Sequence, residues 1–353
     1  MNKNYYTVIM AGGVGSRFWP ISTAQFPKQF HDMLGTGSTL IQQTYKRFEN
    51  IIPPENILIA TNDRYEDLVK EQLPKISKNQ LLLEPAMRNT APCILYSALK
   101  IYNKNPDGIM VVAPSDHWIE NEKEFKANVQ IGFDFCANHD ALLTFGVEPT
   151  SPNTGYGYIE FESSKNSIKK IIAFTEKPNL KTAQEFLKEG GHYWNSGIFM
   201  WSVKSIIAAF KNNLPEMLQL FERGNKVWNT NRENDFIELN YPKSTNISID
   251  HGIMEKAFNV FVLPVHFDWN DLGTWGSLYN KLPKDSFNNA TVGGNIIYRG
   301  STNNIVKTQK GKRVVIQGLD NYIVIEKDDI LLICPKNKEQ DIKEIAAEVT
   351  SKS

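Results

Sequence analysis

The sequence predicts an α/β protein whose sheet is mixed but mostly parallel, wrapped on both faces by crossover helices and followed by a small β segment. Three observations carry this. The first half alternates short β-rich runs with longer amphipathic stretches, the pattern of parallel strands joined through helices. A glycine-rich loop follows the first apolar run directly, at the carboxyl end of a strand, where α/β sheets place their ligands. After about Lys284 the pattern changes to short strands spaced by Gly, Asn and Asp, with no helical stretch between them.

Taken in order, "YYTVIMA", "NILIAT", "NQLLLEP" and "GIMVVAPSD" read as strands, and "LIQQTYKRFENI", "RYEDLVKEQLPKI" and "APCILYSALKIYNK" as the helices between them. This arrangement predicts three neighbouring post-strand loops: "AGGVGSR", "EPAMRNTAP" and "APSDHW". "TGYGYIEF", "IIAFTEKP" and "WNSGIFMW" read as further strands that extend the sheet, and "KSIIAAFKNNLPEMLQLF" as helix broken at Pro215. Beyond Lys284, "GGNIIYRG", "NNIVKT", "KRVVIQG" and "NYIVIEKDDILLICP" suggest a short β-helix or roll, closed by the helical "EQDIKEIAAEV". The predicted division is therefore 1–284 and 285–353, with no convincing internal repeat and no low-complexity linker.

Composition narrows the function classes. The chain has 353 residues, 41% of them hydrophobic, enough for a large α/β domain plus a smaller one. Lys+Arg and Asp+Glu balance at 39 each, so the basic excess that nucleic-acid backbones demand is missing and no nucleic-acid partner is expected. The opening apolar run is short and cut by glycine, and no later run approaches a membrane span, so the expectation is a cytoplasmic protein without a membrane partner. Cys93, Cys136 and Cys334 are scattered with no CxxC spacing, and read as buried small hydrophobes.

The chemistry-bearing residues begin in "AGGVGSRFWP". A dinucleotide fingerprint fails because Phe18 stands where a third glycine is needed, and a Walker A loop fails at Gly15, Ser16 and Arg17. What remains is a loop whose backbone N–H groups approach a polyphosphate, with the Arg17 guanidinium as a planar fork for phosphate oxygens; a plain tight turn is the competing reading. Lys28 in "FPKQF" reads first as a solvated surface charge. Asp116 in "APSDHW" suits Mg²⁺, which takes one or two carboxylates plus phosphate oxygens, or else caps a helix; His117 reads as a packing residue. "FDWNDLGTW" offers Asp268 and Asp271, one of which completes a metal site with Asp116. Glu176, Lys177 and Asn195 pass individually for turn chemistry, and together suit a sugar and its phosphate. With no GxSxG elbow and no HExxH, covalent acyl chemistry and zinc hydrolysis are poorly supported. A phosphate monoester, largely dianionic at neutral pH, needs no base to attack another phosphate once held in line.

In order along the chain, "GGVGSRFWPIS", "PKQF", "EPAMRNTAP", "PSDHWI", "TGYGYIEF", "FTEKP", "YWNSGIFMW", "SIDHGIMEK" and "WNDLGTW" closely resemble the bacterial mannose-1-phosphate guanylyltransferases. The resemblance runs from about Met10 to Trp275 and is specific as a set. It implies a Rossmann-like nucleotidyltransferase fold and the conversion of GTP and α-D-mannose 1-phosphate to GDP-mannose and pyrophosphate with Mg²⁺. Position by position, it implies that the loop Gly12 to Arg17, with Gly13, Gly15 and Ser16, holds the GTP phosphates, that Lys28 neutralises charge near the α-phosphate, and that Ala11 and Ser115 join the nucleotide site. Pro85, Arg88, Asn89 and Thr90 become candidates for guanine selection. Asp116 and Asp271 become the metal ligands, Asp271 being preferred over Asp268 for its "W-x-D-x-G" setting. Gly157, Glu176 and Asn195 would meet the mannose, and Lys177 its phosphate.

Larger members carry a fused isomerase domain; this chain stops at Ser353 with only the β segment, so no phosphomannose isomerase activity is expected. The β segment resembles the β-helical tail of single-function relatives, which implies packing or formation of a homodimer. Two alternatives stay open: another sugar 1-phosphate, such as glucose or a manno-heptose, and a non-catalytic GDP-mannose-binding regulatory protein.

Overall fold

Residues 1–352 are described by a computed structural model, in which the chain packs into two units. The first comprises Met1–Gly12, Tyr45–Ser115 and Ile119–Trp269, and the second Gly13–Thr44, Asp116–Trp118 and Asn270–Ser353. The chain thus passes from one unit to the other inside three of the motifs singled out above, at Gly12/Gly13, Ser115/Asp116 and Trp269/Asn270.

The first unit is built on a nine-stranded sheet. Its strands are β1 (Tyr5–Met10), β2 (Ile57–Asn62), β3 (Leu81–Glu84) and β4 (Ile109–Pro114), then, beyond the two-residue β5 (Trp118–Ile119), β6 (Leu142–Val147), β7 (Tyr158–Phe161), β8 (Lys169–Thr175), β9 (His192–Ser202) and β10 (Val260–Val265). They lie in the order β3-β2-β1-β4-β9-β6-β10-β8-β7. β1 to β4 are mutually parallel, as are β6 and β10, whereas β9 and β8 run against their neighbours. Seven of the nine strands therefore share one direction, as the alternating pattern predicts. The parallel strands are buried on both faces, which is why they read as continuous apolar runs. The 15-residue helix Thr90–Lys104 supplies much of the core, its Ile94, Leu95, Ala98 and Leu99 packing with Val8 and Val112 of the central strands.

Register fixes what stands at the carboxyl edge. Met10 pairs with both Ala60 and Pro114, and Asn62 pairs with Glu84, so Gly12, Glu84 and Ser115 all emerge at one end of the parallel strands. β1 and β4 are direct neighbours, as expected of their loops, while β2 stands between β1 and β3. The later strands extend the sheet as predicted, and Pro215 opens a new helix, Pro215–Glu222, after Val203–Asn213.

The second unit contains, after the two-residue β11 (Trp269–Asn270), the strands β12 (Ala290–Val292), β13 (Asn295–Arg299), β14 (Ile305–Lys307), β15 (Arg313–Gln317), β16 (Tyr322–Lys327) and β17 (Ile330–Pro335), then the helix Ile342–Lys352. β12, β14 and β16 pair in parallel in one sheet and β13 and β15 in another, so the chain alternates between two faces and coils. β17 closes the coil antiparallel to β16. The turns stack on a buried asparagine ladder: Asn304 donates to Asn289 Oδ1 at 2.9 Å and to the Leu319 carbonyl at 2.9 Å, and its own Oδ1 accepts from Tyr322 N. This coil is a repeat that the sequence reading missed. Ala290 stacks on Ile305 and Ile305 on Ile323, so the spacing changes from one turn to the next and no fixed period marks it. The same core takes in Phe18, Trp19, Ile21, Met33 and Leu40 from the segment after the glycine loop.

Candidate active site

In the second unit the glycine loop is shaped from behind. Gly15 sits at φ +67°, and a Cβ there would lie 2.6 Å from the Lys28 Cβ, so only glycine fits. Gln29 Nε2 donates to the Gly13 carbonyl at 3.0 Å and Ser22 Oγ to the Val14 carbonyl at 2.5 Å. With the carbonyls tied back, no acceptor among the described residues takes up the N–H groups of Gly13, Val14 or Gly15. Ser16 and Arg17 open a 3₁₀ turn, and the Arg17 side chain is exposed. Backbone donors left without an acceptor beside a guanidinium suit an anion rich in oxygens.

Lys28 contradicts the simpler expectation of a surface charge. It is 3% exposed, and its ammonium meets three acceptors: Asp116 Oδ2 at 2.8 Å, the Asp271 carbonyl at 3.0 Å and the Leu272 carbonyl at 2.8 Å. An ammonium has three protons to donate, so Lys28 is fully used in tying Asp116 to the Asp271–Leu272 turn. The same turn is held by Gly273 N, which donates to Asp271 Oδ1 at 2.9 Å, and a Cβ on Gly273 would strike the Asp271 carboxylate. Burial pushes the Asp116 carboxyl up, but Lys28 and His117 outweigh it and hold the group below the ordinary carboxylate value. Asp116 thus stays ionised at neutral pH. Asp268 belongs to the first unit and is exposed, whereas Asp271 shares Lys28 with Asp116.

In the first unit, Ala11 is committed to the sheet, its N–H donating to Ala60 and its carbonyl accepting from Thr61. Ser115 is likewise buried, with its N–H on the Met10 carbonyl. A Cβ on Gly12 would lie 3.3 Å from Glu84 Oε2, so the loop entrance packs against a carboxyl that sequence reasoning passed over. Glu84 accepts from the Tyr241 hydroxyl and from Cys93, yet burial still lifts its carboxyl to about 7. One residue beyond Tyr241, the Pro242 carbonyl accepts from Arg88. Pro85 is half-buried, and Asn89, at φ +64°, caps the following helix by accepting from Thr90 N. Thr90 Oγ1 in turn accepts from Ile249 N at 2.8 Å.

A second cluster of the first unit gathers Gly157, Glu176, Lys177 and Asn195. Asn195 N donates to the Gly157 carbonyl at 2.8 Å. A Cβ on Gly157 would stand 2.5 Å from Glu176 Oε2 and 3.4 Å from the Asn195 Cβ, so glycine keeps the space between the two side chains open. Lys177, strained at φ +46°, pairs with Glu176 at 2.7 Å but keeps most of its own side chain in solvent. Asn195 Nδ2 donates to Asp250 Oδ1 at 2.9 Å. Burial and the Glu176 charge raise the Asp250 carboxyl to about 6 against the lowering effect of its own backbone, Lys177 and Asn195. Asp250 lies in "SIDHGIMEK", a stretch that carried the resemblance without a role being given to any of its residues.

A sequence profile described as nucleotidyl transferase matches residues 6–287, and one described as a mannose-phosphate isomerase/GMP-like β-helix domain matches residues 294–349. The chain belongs to the nucleotidyl transferase family. The nucleotidyltransferase is 35% identical over 350 residues to mannose-1-phosphate guanylyltransferase RfbM of Salmonella typhimurium, covering 97% of this chain and 72% of that one. It is also 35% identical to the alginate biosynthesis protein AlgA of Pseudomonas syringae, over 96% of this chain and 71% of the relative. A crystal structure from Thermus thermophilus, titled mannose-1-phosphate geranyltransferase, superposes with a TM-score of 0.90 at 28% identity, covering 98% of this chain and 99% of that one. The fold, including the C-terminal coil, is thus the one the resemblance implied.

All three cysteines of the nucleotidyltransferase are buried and free, as expected. Among the described residues no helix is long and apolar enough to cross a membrane. Glu84 and Asp250 are two carboxyls beside the candidate site residues to which sequence reasoning gave no role. Each lies in a stretch that carried the resemblance, Glu84 at the head of "EPAMRNTAP" and Asp250 within "SIDHGIMEK", but only the fold brings it to Gly12 or to Asn195.

Proposed function

We propose that the protein is a mannose-1-phosphate guanylyltransferase, joining GTP and α-D-mannose 1-phosphate to give GDP-mannose and pyrophosphate. A phosphate oxygen of the sugar phosphate forms a new bond to the α-phosphorus of GTP as the bond from that phosphorus to the oxygen bridging to the β-phosphate breaks. The observation that carries this reading is the loop amides of Gly13, Val14 and Gly15, for which no acceptor is found among the described residues, beside Arg17 and in the same unit as an ionised Asp116 held by Lys28. Nothing in it calls for a protein nucleophile.

A divalent cation fits these residues. Among the described residues no three His, Cys, Asp or Glu side chains gather as a metal cage, and the hard carboxylates of Asp116, paired with Lys28, and of Asp271, whose backbone carbonyl accepts from the same lysine, match the Mg²⁺ habit of taking a few protein oxygens and completing its shell with phosphate and water. Bound there, Mg²⁺ would supply charge neutralisation at the phosphates. The chain's own contribution is positional. Gly12, Gly13, Gly15 and Ser16 offer backbone donors to the triphosphate, Arg17 takes its outer oxygens, and Lys28 serves the α-phosphate as Asp116 turns to the metal. Pro85, Arg88, Asn89 and Thr90 frame the base, with Glu84 as an acceptor at that segment for ring N–H groups; Ala11 and Ser115 act through the backbone that supports the loop. Gly157, Glu176 and Asn195 hold the mannose, and Lys177 its phosphate.

Pyrophosphate release, followed with Mg²⁺, mannose 1-phosphate and each of GTP, ATP, UTP, CTP and dTTP, tests the reading. Release with GTP far above the rest is expected, and a second panel with glucose and manno-heptose 1-phosphates fixes the sugar. A chain that binds GDP-mannose in calorimetry but releases no pyrophosphate with any pair is a regulatory binder instead. A substrate pair of this kind fits a cytoplasmic setting, and we further propose that the enzyme works as a homodimer.

A further inference from the structure

Asn195 is held in one orientation by its surroundings. Its Oδ1 accepts from Gly197 N at 3.2 Å and lies 3.0 Å from the Thr144 hydroxyl, whose single proton is shared with the Ile198 carbonyl at 3.1 Å. A backbone N–H only donates, so Gly197 decides which end of the amide is oxygen. The Nδ2 end then faces Asp250 Oδ1 at 2.9 Å. One of its two protons is spent there and one is left. The acceptor capacity of Asn195 is used inside the protein, and what it offers a ligand is one N–H.

Asp250 is itself anchored from the other side. The preceding Ile249 donates its N–H to Thr90 Oγ1 at 2.8 Å, and Ile247 accepts from Ala91 N at 3.1 Å, so the stretch 247–250 is pinned to the start of the helix Thr90–Lys104. Asp250, half-buried, begins a π-helical turn, Asp250–Met254, whose Gly252, Ile253 and Met254 are buried and anchor it.

We propose that Asp250 is a positioning residue that sets the hydroxyl specificity of the sugar pocket, by fixing Asn195 so that its remaining N–H is presented to a single ring oxygen of the sugar phosphate. The inference rests on the function proposed above and deepens it. That oxygen accepts from Asn195, so its own proton is free to go to a neighbouring carboxylate, and Glu176 is the acid across the gap that Gly157 keeps open. A site made this way penalises a sugar lacking that hydroxyl, because the buried amide N–H is left without an acceptor.

The test compares Asp250→Ala with the conservative Asp250→Asn, which keeps an acceptor oxygen for Asn195 Nδ2. Substrates are mannose 1-phosphate and its monodeoxy analogues at positions 2, 3, 4 and 6, with GTP and Mg²⁺. Asp250→Ala is expected to raise KM for mannose 1-phosphate about ten- to a hundredfold, the cost of an unpaired or mispositioned polar group, with KM for GTP changed by less than about twofold. Asp250→Asn recovers most of the loss. One deoxy analogue that the wild-type enzyme handles poorly becomes no worse than mannose 1-phosphate in the alanine variant. Thr144→Val, which keeps the side-chain shape and removes a donor to Asn195, gives the same selective effect at smaller size and serves if Asp250→Ala does not fold. An asparagine variant as poor as alanine assigns the role to charge and overturns the inference, as do unchanged analogue ratios. Absence of turnover in the wild-type protein with every sugar and nucleotide defeats the function reading itself, a different result from failure in the variants alone.

Discussion

At Glu84 a carboxyl meets an environment its sequence neighbours do not announce. Burial is the largest influence on it and lifts it to about 7, against hydrogen bonds from Tyr241 and Cys93 that lower it. A group whose folded value exceeds its unfolded one binds protons more readily when folded, so its stabilising contribution is complete below about 4.5, declines as the pH rises, and is gone above about 7. The difference corresponds to about 3 kcal/mol at most. Glu84→Gln, which carries no charge at any pH, should therefore gain stability relative to wild type by up to that amount between pH 5 and pH 8, read from urea midpoints at the two values. A constant difference across that range would show that Glu84 does not change protonation there. Asp250, also raised, titrates alike in both proteins and cancels. Lys28 makes the complementary point about legibility. The glycine loop was readable because Gly15 is required by its backbone, but a lone lysine two dozen residues into the chain says nothing of burial until Asp116 and the Asp271–Leu272 turn arrive from far along the sequence.

At the scale of elements, the strands of the first unit were legible because parallel strands buried on both faces leave long apolar runs, and the helices between them leave amphipathic ones. The coil of the second unit was legible as short strands and as a β-helix, but not as a repeat of fixed period, because its turns share little beyond alternating apolar residues and a buried asparagine. What the sequence hid is that this coil packs with the stretch following the glycine loop. Phe18, Ile21 and Met33 share one core with Ile305, Ile323 and Ile325, and Lys307 Nζ donates to the Asp32 carbonyl at 3.0 Å. The coil therefore supports the segment that follows the glycine loop. Ile325→Ala, a fully buried truncation on β16, should cost about 2–5 kcal/mol, lowering the thermal midpoint. Because the loop loses part of its support, KM for GTP should rise as well. Lost stability with GTP binding intact at a temperature where the variant is folded would show that the loop stands without the coil.

For the molecule as a whole, the coil also presents apolar side chains to solvent. Ile297 on β13 and Val315 on β15 are direct partners in register, 57% and 62% exposed, and Leu331 and Ile333 stand exposed on the edge strand β17. Scattered exposed aliphatics are ordinary on a protein surface, but a pair aligned across two strands forms the start of a face, and an unpaired edge strand is a surface that proteins usually cover or charge. A second copy of the chain offers the same groups back, which is the self-complementarity a two-fold interface needs. The homodimer proposed above would then bury Ile297 and Val315 against their counterparts. Light scattering should give twice the 40.2 kDa chain mass, and the double substitution Ile297→Lys with Val315→Lys should bring it to the single-chain mass while the thermal midpoint shifts by only a few degrees, since neither side chain is part of the core. A monomer in the wild-type protein would remove the homodimer altogether. A dimer that survives the lysine pair would move the interface off this face, with β17 the next edge to charge.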